Sequence, residues 1–201
     1  MGIFEEVKQK VEEILENAEN LTGIGEKDLQ TLKDKKDILI SWSDELMDNF
    51  YRTLLNYPKT AKVFEKIPVE RVKAKNKKWY EEVVSGKLDK NFYEFQFLVG
   101  LIHIYYGIEN NVMIFMAQHL KSHFLNKAVE TFETEEAIAV FKAFSKLVDF
   151  LIALTIEGYT FTLREALMDI AGYTSGLVDT MMGMKLEEIY RALREGLPER
   201  S

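Results

Sequence analysis

The chain has 201 residues, of which 47% are hydrophobic and 29% are charged, a balance that supports one folded domain and differs from the compositions of disordered chains. It contains no cysteine, which excludes a disulfide framework, a thiolate-ligated metal site and a cysteine nucleophile. The net charge of −7 repels the phosphate backbone of nucleic acids, so we expect no nucleic-acid partner.

The amino-terminal segment is predicted to be an amphipathic helix. Its first ten residues mix glutamates and lysines with apolar residues and lack the apolar core of a signal peptide. Gly23 and Gly25 end the pattern, because glycine readily leaves helical dihedral angles. Apolar residues spaced three and four apart form one narrow seam that needs a partner helix: Phe4, Val7, Val11, Ile14, Ala18 and Leu21.

The region that follows is predicted to be helical up to a proline-containing break. Residues 29–54 carry an apolar face typical of two short helices or one bent helix. The pattern stops at residues 56–58, because Pro58 disfavours helical geometry at the residue before it. After a connector through Pro68, residues 69–85 are predicted to form a helix that Gly86 terminates.

The next predicted helix begins near Asp89, carries an apolar face with His103 at its border, and ends at Gly107. Two longer helices are predicted over residues 111–132 and 134–167, with Thr134 as a plausible N-cap.

The most apolar run of the chain, residues 147–156, contains Asp149 and is far shorter than the roughly 20 apolar residues of a membrane-spanning helix. We therefore expect a cytoplasmic protein without a membrane span. A stretch rich in glycine and methionine, residues 171–184, precedes a short amphipathic helix over residues 186–193.

The three histidines are the candidate metal ligands. His119 and His123 would share a helix face, but no third ligand is nearby and no glutamate stands between them as in H-E-x-x-H, which favours ordinary polar or interfacial roles. A lone histidine such as His103 is also more often a core residue than a ligand. Haem iron, however, needs a neutral imidazole on a rigid helix, an apolar slot and a close helix approach, which Gly100 would permit.

Four segments in one order resemble the sensor globin (globin-coupled sensor) and protoglobin family. They are LTGIGEKDLQTL, DNFYRTLLNYPKTAKVF, KKWYEEVVSGKLDKNFY and VGLIHIYYGI, and together they span roughly residues 21–165. The resemblance implies an all-α globin fold, a three-over-three helical sandwich. It divides the chain into an extra N-terminal helix (1–20), a haem domain (21–167) and a C-terminal helical tail (168–201).

The resemblance also implies the cofactor, haem b (iron protoporphyrin IX), and the roles of two residues. His103 matches the proximal iron ligand, and Tyr51 matches the tyrosine whose hydroxyl reaches dioxygen in the pocket. A buried phenol that donates a hydrogen bond favours dioxygen over CO, because dioxygen is the better acceptor. The alternative for Tyr51 is an ordinary buried tyrosine bonded to a backbone carbonyl.

Further residues would line or support the pocket, and no residue is assigned a catalytic role. For Trp79, plain core packing is about as good an explanation as cofactor contact. The family's pocket can offer a second polar group, but neither Lys75 nor Asn76 has a clear match to it. The implied lining residues are Phe64, Val72, Trp79 and Val99.

The favoured function is a sensor that reversibly binds a diatomic gas (dioxygen, CO or NO). Gas binding would shift the helix carrying His103 and alter a homodimer interface made by the last two globin helices. The output would pass to an unidentified downstream signalling protein, because no fused transmitter domain is expected. Two alternatives stay open: a haem enzyme (NO dioxygenase or peroxidase-like) that needs an external electron donor, and a haem-free interaction module, against which His103 argues. We expect no enzyme, because no dedicated acid–base pair is evident.

Overall fold

The computed structural model describes residues 2–65 and 67–196, and within them the chain is helical with no strand. This confirms the predicted all-α fold. Its helices are α1 (Ile3–Thr22), α2 (Glu26–Asp34), α3 (Lys36–Ser41), α4 (Ser43–Asn56), α5 (Pro58–Ala61), a 3-10 turn (Lys62–Glu65), α6 (Val69–Ser85), α7 (Lys90–Tyr106), α8 (Asn110–Thr131), α9 (Thr134–Ala171) and α10 (Ser175–Gly196).

Two compact units divide the chain, one up to Tyr159 and one from Thr160 onward. In the second unit, Arg164 binds the carboxylate of Asp179 at 2.8 Å and the hydroxyl of Ser175 at 2.7 Å. The first unit contains the hydrophobic core, whose largest fully buried side chains are Tyr80, Phe97, Phe124, Phe144, Leu32, Leu39, Leu46, Leu147, Leu151 and Leu154.

Glycines end several helices as predicted. Gly23, Gly86 and Gly107 follow α1, α6 and α7 with φ of 64°, 65° and 68°, in the left-handed region that glycine adopts without strain. At Gly86 a Cβ atom would also overlap the carbonyl oxygen of Leu29, so this position requires glycine on two grounds. The side chain of Asp89 caps α7 by accepting a hydrogen bond from the Phe92 N–H at 2.8 Å.

The apolar seam of α1 has its partner helix within the chain. Val7 and Val11 are both 4% exposed, and α1 contacts α7. An ion pair of 2.7 Å between Glu12 and Lys90 supports the same contact. Burial of Val7 and Val11 fixes α1 against the helix that carries His103, while the seam's two ends, Phe4 and Leu21, are 53% and 85% exposed.

The region between Gly25 and Tyr57 differs from its prediction, because it forms three helices instead of two short ones or one bent one. The chain leaves the regular helical pattern at Lys35 (φ −107°, ψ 3°) and Trp42 (φ −85°, ψ −10°). Neither residue is a glycine or proline. Tertiary contacts favour the breaks, since the Trp42 ring packs against Phe124 with centroids 5.4 Å apart.

The carboxyl-terminal region also differs from its prediction. The stretch rich in glycine and methionine, residues 171–184, contains a turn at Gly172 (φ 66°), and α10 then begins at Ser175, well before the short helix predicted over residues 186–193. Gly176 and Gly183 lie inside α10. The helix tolerates them, since a glycine in a helix lowers its stability by only about 1 kcal/mol relative to alanine. α9 begins at Thr134, and the carbonyl of Glu133 accepts the Ala137 N–H, which moves the cap position one residue earlier than predicted.

None of the helices in the described ranges combines the length and apolar composition that crossing a bilayer requires.

Candidate functional site

A cavity of about 830 Å³ lies within the first unit, enclosed by residues from α4 to α9. Its volume is that of a site for a cofactor or a drug-sized ligand, and most of its lining side chains are apolar. α4 contributes Phe50 and Leu54, while α8 contributes Met113, Met116 and Leu120. The cavity therefore suits a large apolar ligand with few polar groups.

His103 lines this cavity from α7. The imidazole is half-buried, and its Nδ1 atom is buried with no hydrogen-bond partner in the part of the chain that the structure describes. Burial lowers the pKa of His103 from 6.5 to about 4, so the ring is neutral near pH 7. A neutral imidazole is the form that ligates metals, and a buried polar atom without a protein partner on a cavity wall fits a ligand-binding role.

Tyr51 is buried on α4 with 3% of its surface exposed. It is not among the described residues that line the cavity, but it contacts two that are. Asn76 donates a hydrogen bond from Nδ2 to the Tyr51 hydroxyl oxygen at 2.8 Å, and the Phe64 ring packs against the phenol with centroids 5.8 Å apart. Among the described residues, the hydroxyl has no backbone carbonyl partner, in contrast to Tyr80, whose hydroxyl donates to the Leu39 carbonyl at 2.9 Å.

The other residues expected at the pocket, Phe64, Val72, Trp79 and Val99, all line the cavity. Trp79 is half-buried and donates from Nε1 to the Gln96 side-chain oxygen at 2.9 Å. The structure therefore places five of the six expected pocket residues on the cavity wall, with Tyr51 in contact with that wall.

Gly100 has a different role from the expected one. A Cβ atom there would lie 2.5 Å from the carbonyl oxygen of Thr155 on α9. The close approach that this glycine permits is between α7 and α9, and not between α7 and a ligand in the cavity. Gly100 and His103 are three residues apart, so the crossing with α9 lies within one helical turn of the histidine.

Two cations lie at the cavity one helical turn apart, Arg71 and Lys75 on α6. Within the described ranges neither forms an ion pair with a carboxylate, whereas Lys59 and Glu109, which also line the cavity, pair with each other at 2.8 Å. Arg71 and Lys75 are thus available to a ligand that carries carboxylates.

His119 and His123 are on α8 and face α4, and neither is among the described residues that line the cavity. The Nε2 atom of His119 is 2.5 Å from the Asn49 side-chain oxygen and 3.2 Å from the Thr53 hydroxyl. Nε2 of His123 is 3.7 Å from the Glu45 carboxylate. His119 therefore forms hydrogen bonds between α8 and α4, a polar role of the kind that the sequence favoured, whereas the buried Nε2 of His123 has no hydrogen-bond partner among the described residues.

The helices and their cavity define a globin fold. The chain is similar to the globin domain of the Geobacter sulfurreducens globin-coupled sensor, with a TM-score of 0.66 and 18% identity over 72% of this chain and 96% of that one. It is also similar to the ferric globin domain of the E. coli DosC, with a TM-score of 0.60 and 17% identity over 71% and 97% of the two chains. These similarities confirm the predicted fold.

The protoglobin family model matches residues 11–165, and the chain belongs to the protoglobin family. The comparison with curated proteins found no significant match. Membership of this family confirms the resemblance noted in the sequence and implies a haem cofactor.

The residues present fit haem. The cavity offers apolar walls for the porphyrin, a neutral imidazole for the iron, and two cations for the propionate carboxylates. The buried and unpartnered Nδ1 of His103 is the observation that favours a ligand in this cavity over simple core packing. The sequence did not predict the Asn76 contact to Tyr51 or any role for Gln96, since neither contact leaves a local signal in the chain.

Proposed function

We propose that the protein binds haem b through His103 and reversibly binds a diatomic gas, acting as a gas sensor. The observation that carries the proposal is the buried, neutral imidazole on the wall of an apolar cavity in a protoglobin. When bound, haem iron supplies the coordination position for dioxygen, CO or NO.

Each group of cavity residues has a separate task in this proposal. His103 holds the cofactor from α7, while Phe64, Val72 and Val99 exclude water from its faces. Arg71 and Lys75 bind its carboxylates by charge-assisted hydrogen bonds.

Tyr51 discriminates among gases in this proposal. Its hydroxyl oxygen already accepts a hydrogen bond from Asn76, so the hydroxyl proton is the part of the group left to donate. Burial also raises the pKa of Tyr51, which keeps the phenol protonated. A donor held in this way favours dioxygen, which accepts hydrogen bonds better than CO does.

We further propose a homodimer that uses α8 and α9. Ile114, Phe115 and Val129 are 45%, 70% and 57% exposed and lie on one face of α8, and Ile138 on α9 is 46% exposed. The dimer would pass the state of the pocket to an unidentified signalling partner in the cytoplasm. Sedimentation equilibrium of wild type and Phe115→Glu tests the dimer, because a buried charge should shift the variant to monomer and an unchanged mass would contradict the interface.

The central test is an absorption spectrum of purified wild type, His103→Ala and His119→Ala after haem supplementation. The wild type and His119→Ala should show a Soret band that moves on reduction and again on adding dioxygen or CO. His103→Ala should keep its helicity, measured by circular dichroism, and lose stable five-coordinate haem. Haem retention by His103→Ala at the wild-type level would refute the assignment of the ligand, and no Soret band in any protein would favour a haem-free interaction module.

An enzymatic role is the second candidate. We propose that the protein is not an enzyme, since the one carboxylate among the described residues of the cavity wall, Glu109, is engaged in the exposed ion pair with Lys59. Steady turnover of NO or peroxide with an external reductant, at a rate well above that of free haem, would contradict this proposal.

A further inference from the structure

A chain of buried side-chain hydrogen bonds joins three helices next to the cavity. Trp79 on α6 donates from Nε1 to the Gln96 side-chain oxygen at 2.9 Å, and Gln96 on α7 donates from Nε2 to the Thr155 hydroxyl at 2.8 Å. Thr155 on α9 donates in turn to the Leu151 carbonyl at 2.9 Å. Gln96 is 6% exposed and Thr155 is fully buried, so water does not compete for the bond between them, while the bond from the half-buried Trp79 is partly shielded.

The same two helices touch through their backbones directly beside this chain. A Cβ atom at Gly158 would overlap the carbonyl oxygen of Phe97, and one at Gly100 would lie 2.5 Å from the carbonyl oxygen of Thr155. Gln96 precedes Gly100 by one helical turn. No layer of side chains separates α7 from α9 at this crossing, so a movement of one helix there cannot be absorbed by rotamer changes.

Gln96 and His103 are seven residues apart on α7, close to two full helical turns, and therefore share a face of the helix. Both line the cavity. Gln96 uses its oxygen toward Trp79 and its amide nitrogen toward Thr155, and no other standard side chain of this length offers one acceptor and one donor on the same carbon.

We propose that Gln96 is a positioning residue that orients Trp79 in the cavity wall and fixes the helix of His103 to α9. A displacement of α7 at His103 then reaches α9 through the crossing of Gly100 and Gly158 and the bond from Gln96 to Thr155. This inference rests on the proposed function for its gas-dependent part, and on the hydrogen bonds alone for the orientation of Trp79.

The first measurement follows the Trp79 indole N–H by nitrogen–proton NMR in the full-length apoprotein, with Trp42→Phe to assign the two indole signals. Gln96→Met keeps the side-chain length and removes both polar groups, so the Trp79 signal should shift and exchange with solvent at least roughly tenfold faster. Gln96→Glu keeps the acceptor and should preserve a slowly exchanging signal. Gln118→Met, on the exposed face of α8, is the matched control and should leave the signal unchanged.

The second measurement follows backbone amide exchange in residues 150–159 of the reduced, haem-loaded protein with and without CO. CO should change the exchange rates there in wild type, and Gln96→Met and Thr155→Val should each lose most of that difference while still binding CO. Thr155→Val keeps the shape of the side chain and leaves the bond between Trp79 and Gln96 in place, so its Trp79 signal should match the wild type.

The two measurements separate the possible failures. A Trp79 signal that Gln96→Met does not alter would overturn the positioning role, whatever the protein binds. A CO-dependent change in α9 that survives in both variants would overturn the coupling. A wild type that binds no haem would refute the proposed function and the coupling with it, while the indole signal of the apoprotein would still decide the positioning role.

Discussion

Replacing Tyr51 with phenylalanine tests the proposed role of its hydroxyl in discriminating between gases. The substitution removes the hydroxyl and keeps the ring, which packs against Phe64 and is 3% exposed. The Asn76 amide, 2.8 Å from the hydroxyl in the wild type, then loses its partner and becomes the nearest alternative donor. The size of the effect therefore measures how much of the discrimination belongs to the phenol.

The magnitude follows from the value of one hydrogen bond. A hydrogen bond between neutral groups contributes about 0.5–1.5 kcal/mol net, and one to a charged group about 1.5–3 kcal/mol. Bound dioxygen carries a partial negative charge, so a hydrogen bond to it should have a value between these two. A loss of about 1–2 kcal/mol corresponds to a roughly 5- to 30-fold faster dissociation of dioxygen, because 1.4 kcal/mol is a factor of ten. Dissociation of CO should change less than about threefold, since CO is a weak acceptor.

The assay is stopped-flow displacement of dioxygen by CO in wild type, Tyr51→Phe, Asn76→Leu and the double variant. If Asn76 acts by holding the phenol, Asn76→Leu should speed the dissociation of dioxygen less than Tyr51→Phe does. The double variant should then release dioxygen at the same rate as Tyr51→Phe. A dissociation rate for Tyr51→Phe within twofold of wild type would refute the role of Tyr51. A larger effect from Asn76→Leu would assign the donor to Asn76, which lines the cavity directly.

Three further predictions concern stability and cofactor retention. Gly158→Ala should lower the free energy of unfolding, measured in urea, by about 3 kcal/mol, because the added Cβ would overlap the Phe97 carbonyl. Gly183→Ala is the control: a Cβ there has no neighbouring atom within 4 Å, so the free energy of unfolding should rise slightly. Burial holds the pKa of His103 at about 4 in the folded protein, so as pH falls below 6.5 the unfolded chain binds a proton before the folded one does. The free energy of unfolding of the apoprotein should therefore fall by up to about 3 kcal/mol between pH 6.5 and 4. Urea titrations at several pH values should show this loss in wild type and not in His103→Leu. Reversing both Arg71 and Lys75 to glutamate should speed haem transfer to apomyoglobin roughly tenfold, and an unchanged rate would exclude them as partners of the propionates.

The helix pattern was predictable wherever a residue with a strong local effect marks a boundary. Gly86 and Gly107 adopt positive φ after α6 and α7, and Asp89 caps α7 through its own side chain. The breaks at Lys35 and Trp42 were not predictable, because these residues adopt near-helical angles that no local preference signals. Packing of Trp42 against Phe124, distant in sequence, favours the second break.

The candidate site was predictable from motifs and not from pairwise contacts. His103 stands in a family signature, so its place on the cavity wall was expected from the sequence. The bond from Asn76 to Tyr51 joins residues 25 apart on different helices, and the bond from Gln96 to Thr155 joins residues 59 apart. Such bonds depend on how helices cross, and hydrophobic periodicity fixes only which face of each helix is buried.

The ion pair between Lys59 and Glu109 makes one part of the cavity wall sensitive to the surrounding medium. Its two members are 54% and 47% exposed and join α5 to the connector between α7 and α8. Dissolved ions screen such exposed charges, since the Debye length is only about 8 Å at physiological ionic strength. Added salt should therefore weaken the link that this pair makes between α5 and the connector, while burial of the apolar side chains of the cavity wall becomes no less favourable.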